Sequence, residues 1–150
     1  MRKKLWVKYC IYIFVLSGLI FLKEYVISKL DFAFRASWGA DVSYNLLITT
    51  PLIFNILIGI LLGIEHLTIE FEKPGRWKIN LPKIIIVGLP SLFFSFTHHY
   101  ASINNLLVQT KLLKYATLGT NFVPIFQIVL GYVLITSLNK YYQAIITKST

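Results

Sequence analysis

The chain has 150 residues, of which 56% are hydrophobic and only 14% are charged, and it carries a formal net charge of +9. Ordinary soluble domains have about 25% charged residues, so this composition excludes a typical soluble domain and indicates one small membrane domain. We attribute the basic excess to the positive-inside rule and expect no nucleic-acid partner, while the single cysteine, Cys10, excludes an internal disulfide.

The N-terminal segment combines a basic start with an apolar run. The stretch Tyr9–Leu22 has no charge and follows four bases, Arg2, Lys3, Lys4 and Lys8. This pattern imitates a signal peptide, but no cleavage site of small residues follows it. We therefore predict an uncleaved first span over residues 5–22. The next segment, Lys23–Tyr44, mixes charged and aromatic side chains and is expected to lie at the membrane interface, with a break at Gly39.

The second span is predicted over Leu46–Ile64, which is nineteen residues without a charge. At 1.5 Å per residue a helix of this length covers about 28 Å, close to the thickness of the hydrocarbon core of a bilayer. A helix that is apolar on all sides is typical of a membrane span and not of the surface of a soluble protein.

A short β-hairpin is predicted after the second span. Residues from Ile69 to Leu81 alternate between apolar and polar, which argues for strands, and Lys73–Gly75 interrupts the alternation. A three-residue loop there places Phe71 opposite Trp77 on one face. On the other face the same register pairs opposite charges, Glu70 with Lys78 and Glu72 with Arg76. We expect the Phe71 and Trp77 face to pack on the membrane or on the end of the bundle.

The third and fourth spans are less regular. The apolar core Ile84–Phe96 has only thirteen residues, and a spanning helix needs about 17–25. We therefore predict a third span over residues 83–102, with a kink at Pro90. The segment Tyr100–Asn121 is expected to include an interfacial helix, and the fourth span is predicted over residues 120–138.

The distribution of bases sets the predicted orientation. The N-terminus, the second loop and the tail carry ten Lys and Arg residues, and the other two loops carry five. The positive-inside rule then places both termini and the hairpin in the cytoplasm. The predicted fold is an all-α integral membrane domain, a four-transmembrane-helix bundle with a small cytoplasmic β-hairpin between helices 2 and 3. Residue usage favours a bacterial plasma membrane.

Small and polar side chains recur at helical spacing in these spans. Span two carries Pro51, Asn55, Gly59, Gly63 and His66. Helices in lipid associate through small residues and interhelical hydrogen bonds, so we interpret the stripes as packing surfaces. The predicted packing glycines are Gly59, Gly63, Gly88 and Gly131. The alternative interpretation is a polar pocket formed by Asn55, Ser91, Ser95, His98, His99 and Gln127.

Motifs with a defined chemistry are absent from the sequence. Spans two to four have no acidic or basic residue at depth, which disfavours a proton-coupled transporter. No H-E-x-x-H, G-x-S-x-G or Walker motif occurs, so we assign no catalytic residue, metal ligand or cofactor.

The function predicted from these features is non-catalytic partner binding in the membrane, of an assembly, regulatory or immunity type. The expected partners are the bilayer and either another membrane protein or further copies of the chain. One alternative is an oligomeric permeation or transport subunit. A second alternative is a membrane enzyme or metal protein that uses His98 and His99, since imidazole is a common metal ligand.

The orientation leads to a labelling prediction. Single cysteines introduced at Ser37 and Gln109 should react with a membrane-impermeant thiol reagent added to intact cells, in a background where Cys10 is replaced by serine. Cysteines at Gly75 and Ser149 should react only after the cells are opened, because the basic segments lie inside. Labelling at Gly75 in intact cells would overturn the orientation.

Overall fold

The computed structural model describes residues 2–40, 42–100 and 122–141. The described part of the chain begins with two long helices and one strand, α1 (Arg2–Ala36), α2 (Tyr44–Glu72) and β1 (Arg76–Ile79). It continues through α3 (Leu81–Lys83), a π-helical turn (Ile84–Gly88), α4 (Leu89–Ser95) and α5 (Thr97–Tyr100). The last two elements are α6 (Phe122–Thr136) and β2 (Leu138–Tyr141). The predicted interfacial helix beyond Tyr100 lies outside the described residues.

The structure is mostly helical, and two helices are long and apolar enough to cross a membrane. These stretches are Trp6–Ala36 and Tyr44–Glu72. Helix α1 continues past Leu22 through the segment that the sequence assigns to the interface. An exposed ion pair between Asp31 and Arg35, 2.9 Å apart and one helical turn from each other, supports this continuation.

The connection between α1 and α2 contains the predicted break at Gly39. The φ angle of Gly39 is +81°, a region that favours glycine, and its N–H donates to the Phe34 carbonyl over 2.9 Å. Helix α2 then begins after Ser43, whose side chain accepts from the N–H of Asn45. The chain therefore reverses, and α1 lies antiparallel to α2, with the Tyr9 hydroxyl 3.1 Å from a carboxylate oxygen of Glu65.

The predicted β-hairpin is wrong. The residues expected to form its first strand, Ile69–Glu72, belong to α2, which ends before Pro74 because the residue preceding a proline disfavours helical geometry. Strand β1 pairs antiparallel with β2 instead, with Trp77 opposite Lys140. The expected contact between Phe71 and Trp77 is present, with ring centroids 5.0 Å apart, but it joins a helix to a strand.

The third apolar segment is broken at two points. Pro90 has no N–H to donate, and just before it the N–H of Leu89 reaches back five residues to the carbonyl of Ile84, as in a π-helix. The second break is at Phe96, where φ is −94° and ψ is 12°. The single kinked helix expected from the sequence is therefore a series of short helical pieces.

The bundle is centred on α2 and α6, which run parallel and touch through glycines. A Cβ atom placed on Gly59 would overlap the carbonyl oxygen of Ile128, and one placed on Gly131 would overlap the carbonyl oxygen of Ile56. A Cβ on Gly63 would lie 3.0 Å from the Ile135 side chain. The two backbones therefore pack directly on each other around Gly59 and Gly131, as small residues allow in membrane helices.

We expect Gly59→Ala and Gly131→Ala each to lower the free energy of unfolding by about 1–3 kcal/mol, because the added methyl group overlaps backbone that cannot move aside. The measurement is unfolding of the purified protein by SDS titration in mixed micelles. The matched control is Gly18→Ala in α1, where a Cβ would meet nothing within 4 Å. That control should be neutral or stabilising by up to about 1 kcal/mol, since alanine favours helix. Equal stability of all three variants would contradict the backbone contact.

Candidate functional site

Polar groups from three helices meet in the middle of the bundle. Asn55 on α2 donates from Nδ2 to Oε1 of Gln127 on α6 over 2.7 Å. Gln127 donates from Nε2 to the backbone carbonyl of Ser95, at the end of α4, over 3.1 Å. Asn55 and Ser95 are each 1% exposed, and Gln127 is 4% exposed. We call this series of two hydrogen bonds the amide relay.

The Ser95 carbonyl can accept from Gln127 because the helix breaks one residue later. In an uninterrupted helix the N–H of His99 would donate to that carbonyl. Here the N–H of His99 donates to the Phe96 carbonyl over 2.9 Å. The break between α4 and α5 therefore supplies the acceptor at the end of the amide relay.

The direction of both side-chain amides follows from that acceptor. A carbonyl only accepts, so Gln127 presents its NH₂ group to Ser95 and its oxygen to Asn55. Asn55 must then present its own NH₂ group to Gln127. Its Oδ1 atom is buried and accepts no hydrogen bond from the described residues. The relay therefore leaves a single acceptor without a donor.

A cavity of about 270 Å³ lies beside the amide relay, toward the N-terminal end of α2. Its walls come from α2, α5 and α6 and are mostly apolar. The lining residues are Tyr44, Leu47, Ile48, Pro51, Asn55, His98, Val123, Pro124 and Gln127. Three of the six residues predicted to form a polar pocket, Asn55, His98 and Gln127, therefore come together around this cavity.

The other three predicted pocket residues do not line the cavity, and the Nδ1 atom of His99 is buried without a partner among the described residues. The Ser91 and Ser95 hydroxyls donate to carbonyls one turn back in their own helix, those of Val87 and Ser91 respectively, over 2.7 and 2.6 Å. The Nε2 atom of His99 lies 3.3 Å from the Thr49 hydroxyl. Ser95 still serves the amide relay, but through its backbone.

The cavity ends at the amide relay. Immediately beyond Asn55, the α2 and α6 backbones are in contact at Gly59 and Gly131. Within the part of the chain that the structure describes, this contact leaves no passage between the two helices. In the described residues, the cavity therefore does not continue between α2 and α6 past Gly59 and Gly131.

A second polar cluster lies at the opposite end of the α2–α6 pair. Glu70 is 4% exposed, accepts from the backbone N–H of Lys140 over 2.8 Å, and forms an ion pair with Lys73. The Nζ atom of Lys140 donates to the carbonyls of Phe71 and Lys73 over 2.9 and 3.0 Å. Because Lys140 is in β2, these contacts attach the strand that follows α6 to the last turn of α2.

The sequence patterns do not single out this cluster, although one signal for it exists. Glu70 follows His66 by four residues, so it continues the small and polar stripe on the same face of α2. The alternation that starts at Ile69 conceals that continuation. His66 is a member of the same surface, since its Nε2 lies 3.0 Å from Oδ1 of Asn139.

Metal-binding side chains are not grouped in the described residues. Across residues 2–40, 42–100 and 122–141, no three His, Cys, Asp or Glu side chains come close enough to hold a metal ion. His98 and His99 point in different directions, one into the cavity and one toward Thr49. The two histidines therefore do not form a shared site in the described structure.

Comparison with known proteins identifies no relative. No protein-family model, no curated protein and no solved structure matches this chain. The contacts described above therefore carry the functional inference.

The amide relay leads to a stability prediction. Asn55→Leu should lower the free energy of unfolding by about 1–3 kcal/mol, because Oε1 of Gln127 is left buried without its donor. The double variant Asn55→Leu with Gln127→Leu should lose less free energy of unfolding than the losses of the two single variants added together. The difference, which is the coupling energy, should be about 0.6 to 1.7 kcal/mol. SDS titration of the four proteins gives the coupling energy. Strictly additive losses would contradict a hydrogen bond between the two amides.

Proposed function

We propose that this chain is a four-span, multi-pass plasma-membrane protein with both termini in the cytoplasm, and that it acts without catalysis by binding a partner through α1. The class of function is assembly, regulation or immunity. The observation that carries the proposal is the difference in side-chain burial between α1 and the other main helices. Helices α2, α4 and α6 share a buried core, whereas none of the described side chains of α1 is buried.

The exposed surface supports a membrane location. Large apolar side chains of α1 are open along its length, including Trp6 at 73%, Phe14 at 80% and Phe21 at 75% exposure. The shorter apolar helices Leu81–Ser95 and Phe122–Thr136 would be the third and fourth spans. Such an extent of exposed apolar surface is unfavourable in water and ordinary in lipid.

The attachment of α1 supports a role in binding a partner. Its polar contacts with α2 lie near its N-terminal end, where the hydroxyls of Tyr9 and Tyr12 reach Glu65 and the Leu61 carbonyl. Farther along, Gly18 has no neighbouring atom within 4 Å of where a Cβ would be. An apolar groove lies between the two helices in that region. A second transmembrane helix can therefore approach α1 without displacing any packed core.

The alternative functions receive less support from the geometry. Permeation through one copy of the chain requires a passage, and in the described part of the chain the α2–α6 backbone contact leaves none between these two helices. Enzyme or metal chemistry requires several reactive groups in one place, and His98 is the one imidazole among the residues that line the cavity. Partner binding requires neither feature.

Site-specific photocrosslinking in the source organism tests the proposal. A photoreactive amino acid at Phe14 or Phe21 should give a discrete protein adduct, because these side chains are highly exposed on α1. Ile125 and Leu134 on α6, which are 55% and 49% exposed, are the matched control positions and should give lipid adducts only.

The mass of the adduct separates a different membrane protein from a second copy of this 17.3 kDa chain. Either identity supports partner binding by α1. Lipid adducts alone at Phe14 and Phe21, equal to those at the control positions, would overturn the proposal.

A further inference from the structure

The cavity beside the amide relay is lined by Asn55, whose side-chain oxygen the described chain leaves without a donor. Asn55 lines the cavity and is 1% exposed, and its Oδ1 atom has no hydrogen-bond partner among residues 2–40, 42–100 and 122–141. The Ser95 carbonyl fixes the orientation of both amides, so the unpaired atom is an oxygen and not an NH₂ group. A buried amide oxygen without a donor is unfavourable, so a molecule that brings an N–H or O–H group gains stability there.

A second acceptor lies in the same wall. Pro51 has no N–H, so the carbonyl of Leu47, four residues earlier in α2, receives no α-helical hydrogen bond from it. Both Leu47 and Pro51 line the cavity. Leu47 and Asn55 are eight residues apart in α2, a little over two helical turns, so this wall carries two acceptors and favours a donor group.

The lining also determines the charge and polarity of a ligand. Among the described residues that line the cavity there is no Asp, Glu, Lys or Arg. An ammonium group would therefore be buried without a counter-charge, which is strongly unfavourable. The remaining walls are mostly apolar, with Ile48 and Val123 on opposite helices. The suitable ligand is neutral, with one donor group on an apolar body.

The volume is consistent with the end of a lipid molecule. The cavity of about 270 Å³ would hold roughly nine water molecules at about 30 Å³ each. That space accommodates a hydroxyl group and the first carbons of a chain that continues into the bilayer. His98 lines the same space and has a ring N–H from which the hydroxyl oxygen can accept.

We infer that this cavity binds the hydroxyl end of a neutral lipid alcohol, with the hydroxyl group donating to Oδ1 of Asn55 and the chain lying between Ile48 and Val123. The inference goes beyond partner binding by α1 and does not depend on it. The α1 surface and the cavity are formed by different residues, so the two tests succeed or fail separately.

The test uses the purified full-length chain in nanodiscs of phosphatidylcholine, a lipid without a hydroxyl donor. The probes are a photoactivatable diazirine derivative of 1-octanol and its methyl ether. The alcohol should label cavity-lining residues near Ile48 and Val123 in a saturable manner, as located by mass spectrometry. The ether should label at least about tenfold more weakly at equal concentration, because it has the same apolar body but no donor.

Two phenylalanine variants locate the site. Ile48→Phe should fill the cavity and abolish saturable labelling by the alcohol. Leu57→Phe, placed in the separate apolar groove between α1 and α2, is the matched control and should leave labelling unchanged. Competition by unlabelled 1-dodecanol or by dioctanoylglycerol then distinguishes a single-chain alcohol from a glyceride, and displacement by either supports the inference.

Three results would overturn the inference. Equal labelling by the alcohol and the ether would show that Oδ1 of Asn55 does not select a donor. Labelling confined to the α1–α2 groove would place the ligand elsewhere. Labelling of the cavity-lining residues that persists in Ile48→Phe would show that the ligand does not occupy this cavity. If Ile48→Phe does not fold, the comparison of alcohol with ether on the unaltered chain decides.

Discussion

The α2 and α6 backbones touch at Gly59 and Gly131, and the register of the remaining contacts depends on this close approach. Because neither helix can slide without driving a carbonyl into its neighbour, Asn55 is held level with Gln127. The same register brings His66 to Asn139 at the far end of the pair. A shift of one helical turn, about 5.4 Å, would break both contacts and leave two buried amides unpaired.

The irregular third segment complements this rigid pair. Its π-helical turn and its break at Phe96 would be costly if they faced lipid, since hydrocarbon offers no partner for a released backbone group. Here the released Ser95 carbonyl faces α6 and accepts from Gln127. The break after α4 therefore provides the carbonyl that orients the side chains of Gln127 in α6 and Asn55 in α2.

The sequence predicted those features that depend on spacing along one helix. Steps of three and four residues place Asn55 and Gly59 on one face, and the uncharged stretch Leu46–Ile64 lies within α2, which extends eight residues farther to Glu72. The break at Phe96 carries no such signal, because only tertiary contacts determine which carbonyl is released. Residues Ile69–Glu72 satisfy both a period of two and a period of 3.6, and Lys140, the partner of the buried Glu70, lies seventy residues away. Local pattern therefore could not decide between strand and helix there.

The two-stranded sheet has a consequence for the order of events during folding. Strand β1 acquires its partner only after α6 has been synthesised, since β2 follows that helix directly. Until then the carboxylate of Glu70 lacks the backbone N–H of Lys140. Closing so long a loop is entropically unfavourable, so the pairing of these strands follows helix formation. The β1–β2 pairing therefore forms only after α6 has packed beside α2.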